Sequence, residues 1–94
     1  MAYLITHFFE GGTATQYETI VGVAHPAGGL PPGQIYHAAG PTEGGWQVVS
    51  VWDSKDAADK FVAETLMPAF KTTSGGFSGP PKERAGEVAN LLTA

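Results

Sequence analysis

The apolar run Gly45 to Trp52 (GWQVVSVW) does not follow the alternation expected of a strand at a sheet surface, one face on a core and one in water. One of its rows is Trp46, Val48, Ser50 and Trp52, the other Gln47, Val49 and Val51, and neither suits solvent. Tyr3 to Phe9, bounded by Gly11 and Gly12, reads as a first strand, again apolar on both rows. Thr13 with Gln16, or Thr15 with Glu18, has capping-box spacing, and Tyr17, Ile20, Val21 and Ala24 follow at i, i+3, i+4 and i+7. A short amphipathic helix is predicted, ending by His25 because Pro26 disfavours helical geometry before it. Residues 24–33 (AHPAGGLPPG) form a loop. Gln34 to Ala39 and Trp46 to Trp52 pair as a hairpin around the turn 40–45 (GPTEGG). Asp53 or Ser54 caps a longer helix through Met67, with the stripe Ala58, Phe61, Val62, Thr65, Leu66 and Ala69, and Pro68 should kink or end it. Residues 71–86 read as a flexible linker and Glu87 to Leu92 (EVANLL) as a last, shorter strand.

The order βαββαβ predicts one α+β, ferredoxin-like domain over residues 1–94, a four-stranded antiparallel sheet with two helices on one face. On this reading the helices shield the odd row, Val49 and Val51. The even row, with both tryptophans, would then expose a patch of several hundred Å² unless a second copy stacks on it, sheet on sheet. The space between the two sheets is the expected functional site.

Composition favours a covered face. Charged residues are 15% of the 94-residue chain and hydrophobic ones 43%, so little polar surface is available to coat a free monomer. A formal charge of -4 and the absence of any Lys/Arg cluster argue against nucleic acid and anionic membranes as partners. Without cysteine there are no disulfides, thiolate nucleophiles or thiolate metal sites. The amino end, MAYLITHFFEGG, lacks a basic n-region and is too short to span a bilayer, so it reads as a strand and the expected location is the cytoplasm.

His37 and His7, each inside a strand, are the candidate acid and base, since imidazole titrates near neutral pH. His25, before a proline, reads as a surface turn residue, and Tyr17 and Phe70 as core. Trp52, Trp46 and Tyr36 offer flat apolar surface to a ring-containing ligand, with Ser50 or Gln47 to orient it. His7, His25 and His37 lack local ligand spacing, so no metal is expected. GGFSG (75–79) is not a nucleophile elbow, and the prolines of GGLPPG remove donors that a phosphate loop needs.

The first strand running into FFEGGT, the segment LPPGQIYHAAGP and GWQVVSVWDSKDAADKFVAETLMPAF together resemble the dimeric α+β barrel superfamily, in particular small proteins related to antibiotic-biosynthesis monooxygenases. The resemblance reaches Phe70, with EVANLL a weaker match. It implies a homodimer and a site with a tryptophan at the end of the third strand, the place of Trp52. The haem-degrading branch requires a histidine on the second helix, where this chain has Phe61, Val62 and Ala63. The expected function is a cofactor-independent monooxygenase acting on an aromatic or polyketide-like molecule in an apolar pocket, without metal or prosthetic group. The alternatives are a polyketide cyclase or dehydratase using histidine acid–base chemistry, and a non-catalytic dimer that binds a small apolar ligand.

Overall fold

Thr13 opens the first helix as the spacing predicts: its side chain accepts from the Gln16 backbone N–H while the Gln16 side chain accepts from the Thr13 N–H. In the computed structural model, which describes residues 1–25 and 29–93, the elements run β1 (Tyr3–Glu10), α1 (Ala14–Ala24), β2 (Gln34–Thr42), β3 (Gly45–Trp52), α2 (Lys55–Phe61), a π-helical turn (Val62–Leu66), α3 (Met67–Thr72) and β4 (Lys82–Glu87). Pro26, Ala27 and Gly28 of the predicted loop lie outside the described residues. The strands form one antiparallel sheet in the order β2-β3-β1-β4, the ferredoxin-like arrangement.

Ser54 caps the second helical run by accepting from the Ala57 N–H. The run continues past the predicted end at Met67. Pro68 has no N–H to give back to the preceding turn, and the chain meets this by widening that turn: the Met67 N–H bonds to Val62 O, five residues back, and α3 continues to Thr72.

The last strand also differs from expectation. Lys82–Glu87, which overlaps the predicted strand only at Glu87 and otherwise lies in the predicted linker, pairs with β1, whereas residues 88–92 lie outside any strand. KERAGE is a wholly exposed edge strand, so it lacks the apolar pattern that made EVANLL look like the better candidate.

The two rows of β3 face opposite to the sequence reading. Trp46, Val48, Ser50 and Trp52 are all buried beneath the helices: Trp52, 2% exposed, packs with Ile5 and Ala58, and Trp46 and Val48 pack with Phe9, Tyr17 and Phe70. The helix-free face carries Gln47, Val49 and Val51, with Leu4, Thr6 and Phe8 across from them on β1 and Tyr36, Ala38 and Gly40 on β2. With both rows apolar, alternation could not choose between them. Bulk decides, because two indoles fill the deep layer between sheet and helices better than two valines do.

The hairpin closes tightly at Glu43–Gly44, where Gly44 takes φ 83°. A Cβ on Gly45 would lie 2.1 Å from Phe9 O, so only glycine lets β3 start this close to β1.

Candidate active site between the helices and the sheet

The covered row of β3 forms the floor of a cavity inside a single chain. Val48, Ser50 and Trp52 of β3, Ile5, His7 and Phe9 of β1, and Gln34 and His37 of β2 meet side chains from α1 and from the second helical run. About 60 Å³ of it is open to the centre of a water molecule, room for a few waters and not for a ring system.

Polar groups are few, and most lie along one path. The Tyr17 hydroxyl meets His37 Nε2 at 2.5 Å, and the His25 ring stands edge-on to His37 with centroids 4.7 Å apart. Phenol and imidazole can each donate or accept, so either neutral tautomer of His37 satisfies this bond. Among the described residues, His37 Nδ1 is buried without a partner, and so is Gln34 Oε1 in the same cavity. Buried polar atoms seldom stay unpaired, and a bound molecule can satisfy both. Burial lowers the pKa of His37, and the neighbouring His25 lowers it further. Burial likewise lowers the pKa of His25 and raises that of Tyr17. All three groups are therefore held uncharged at neutral pH.

Of the residues singled out from sequence, His37, His7, Ser50 and Trp52 line this cavity. His7 is not paired with His37: β3 lies between their strands, a separation of about 10 Å at ordinary strand spacing. Its Nε2 instead approaches Glu83 Oε2 at 3.3 Å. Ser50 Oγ accepts from the Trp52 indole N–H at 3.0 Å, which fixes the indole and uses one acceptor position of the hydroxyl. Trp46 lies behind the cavity against Tyr17, centroids 5.3 Å apart, with its indole N–H unpartnered. Tyr36 is not in the site, because it stands on the helix-free face and is 51% exposed. Gln47 is also on that face and exposed.

Three residues of the site were read differently from sequence. Tyr17 fits the apolar stripe of α1, so its hydroxyl looked incidental. His25 closes α1 in the extended backbone that a residue before proline favours, which brings its ring against His37 and Phe61. Gln34 opens β2, and only its burial marks it. The polar tip of Tyr17 on a buried stripe was the available signal. Among the described residues no group of three or more His, Asp or Glu is placed to hold a metal ion, and no helix is long and apolar enough to cross a membrane.

No protein-family model and no curated protein matches this chain. Solved structures do. A Chloroflexus aurantiacus protein assigned as an antibiotic biosynthesis monooxygenase superposes with a TM-score of 0.69 at 10% identity, over 99% of this chain and 98% of that one. SnoaB of Streptomyces nogalater, a cofactor-independent oxygenase, gives 0.61 at 14% identity, over 99% and 97%. The monooxygenase ActVA-Orf6 of Streptomyces coelicolor, solved with nanaomycin D, gives 0.54 at 24% identity, over 99% and 91%. The chain therefore has the antibiotic-biosynthesis-monooxygenase-like α+β fold that its sequence resembles.

Proposed function

We propose, from this shared fold, that the chain is a cofactor-independent monooxygenase acting on an aromatic or polyketide-like carbonyl compound in the helix–sheet cavity. The observation that carries the reading is His37: uncharged and half-buried, bonded to Tyr17 through Nε2, with its buried Nδ1 unpartnered among the described residues. SnoaB and ActVA-Orf6, oxygenases of the same fold, support the reaction class.

The chemistry needs a substrate whose methylene is acidified by flanking aryl and carbonyl groups. With its Nε2–H donated to Tyr17, His37 Nδ1 takes one methylene proton. The resulting carbanion supplies electrons to O2, and a carbon–oxygen bond forms to give a peroxide. His37 returns the proton, and loss of water turns that carbon into a ketone. One oxygen atom stays and the other leaves as water, all electrons coming from the substrate. Such a base is worth about 10² to 10⁴ in rate, so the substrate must already be activated. The apolar walls disfavour charge on free His37 and leave the delocalised anion to share the proton.

A second copy belongs to this reading, on the face opposite to the one first expected. Leu4, Phe8 and Val49, each part-exposed, and Tyr36, 51% exposed, make an apolar surface on the helix-free side that sheet-on-sheet pairing would bury.

The test uses 1,8-dihydroxyanthrone as an activated methylene probe, following quinone formation and oxygen uptake above the uncatalysed rate. Equal consumption of probe and O2, reduced about 10² to 10⁴ in His37→Gln, is the expected result. Unchanged turnover in that variant would remove His37 as the base. Conversion of a polyketide-like carbonyl probe without oxygen uptake would point to cyclisation, and tight binding without product to a binding module.

A further inference from the structure

Phe77 lies parallel to Phe9, with ring centroids 3.7 Å apart and planes within 10°, the closest ring pair in the described structure. Phe9 is anchored in β1 and buried, with Phe70 edge-on to its ring at 6.2 Å. Phe77 is only half-buried and belongs to the irregular segment 73–81 between α3 and β4. Among the described residues no hydrogen bond joins 74–81 to another element, so packing holds the segment to the core: the Phe77 ring on Phe9, and the Gly76 backbone against Ile20. The ring also stands where three spaces meet: the cavity holding Tyr17 and His37, and two clefts of about 290 and 360 Å³ beside the segment.

We propose that the face of Phe9 now covered by Phe77 is the binding subsite for a planar aromatic ring of the ligand, and that the ligand enters by displacing Phe77. This rests on the reading of the cavity as an aromatic-ligand pocket and adds where the ring sits and which residue competes for the place. The size of the cavity requires such a step. At about 60 Å³ it cannot hold a polycyclic molecule, whereas removal of one ring would join it to the flanking clefts and reach the few hundred Å³ that such ligands occupy. The exchange trades one stacked ring for another, so Phe9 stays covered throughout. Among the described residues, displacement of 74–81 breaks no backbone hydrogen bond to another element, which makes it a low-cost part of the wall to move. The subsite selects flat rings over puckered ones, because only a flat ring repeats the contact Phe77 makes.

Binding of 1,8-dihydroxyanthraquinone, read by quenching of Trp46 and Trp52 fluorescence, tests this against the puckered probe 1-adamantanol. Removing the competitor in Phe77→Ala should tighten anthraquinone binding about tenfold and change adamantanol binding less than twofold, while Phe9→Ala weakens anthraquinone binding in either background. In wild type, nuclear Overhauser contacts between the two rings should disappear at saturating anthraquinone, a readout that does not depend on any variant folding. Contacts that persist at saturation, failure to bind anthraquinone, or equal gains for both probes in Phe77→Ala would overturn the subsite. Binding that follows this pattern with no turnover would leave the subsite standing and remove the acid–base reading. Turnover that depends on His37 but not on Phe77 or Phe9 would do the reverse.

Discussion

His37 shows how one side chain acquires a function from its surroundings. Burial and the nearby His25 lower its pKa, and burial lowers that of His25, so protonating either ring is harder in the folded chain than in the unfolded one. Both groups thus contribute stability that is present above the unfolded histidine value of 6.5 and is lost as pH falls through the lower folded values. Thermal unfolding followed from pH 7.5 to 4.5 should show a melting temperature that falls below pH 6.5, and a smaller fall in a His25→Phe, His37→Gln double variant. An equal fall in both proteins would mean that the rings are not desolvated. Tyr17 works in the other direction. Its raised pKa keeps the phenol protonated, so Tyr17→Phe should leave the fold intact and lower turnover of the anthrone probe about tenfold by freeing the His37 ring. Sequence showed His37 as chemically able and could not show its partner, because Tyr17 and His25 reach it only once α1 lies across β2. Tyr36 does not line the cavity because it directly precedes His37 on β2, and alternation along a strand puts the two on opposite faces.

Among the elements, those with explicit start signals were legible and those defined by pairing were not. The Thr13 capping box, the Ser54 cap and the β2–β3 hairpin lie where local chemistry puts them. Thr13→Ala should cost about 1 kcal/mol and lower the melting temperature by about 4–8 °C, measured by circular dichroism, since two backbone donors at the helix start lose their arrangement. β4 was misplaced because an exposed edge strand needs no apolar row, and β1 selects it by hydrogen bonding. The π-helical turn was missed because Pro68 reads as a stop, when the widened turn before it lets the helix continue and brings Val62, Leu66 and Phe70 onto the cavity. Trp52→Ala should destabilise by about 3–5 kcal/mol in urea unfolding, as Trp52 fills the layer between Ile5, Ala58 and Phe61.

For the whole molecule, the sheet has two unlike faces: one carries the cavity, and the other, free of helices, is where the proposed second copy would pack. The expectation that both tryptophans meet the partner is overturned by their burial beneath the helices, and a second copy would instead meet Leu4, Phe8, Val49 and Tyr36. Val49→Glu should shift the protein to monomer in sedimentation at micromolar concentration without emptying the cavity, which lies on the other side of the sheet. The central claim, that His37 receives the ligand, is tested most directly by ¹⁵N histidine spectra recorded while 1,8-dihydroxyanthraquinone is added. A shift of the His37 Nδ1 resonance as its empty position is filled is the predicted result. Saturating binding that leaves both His37 nitrogens unmoved would contradict it.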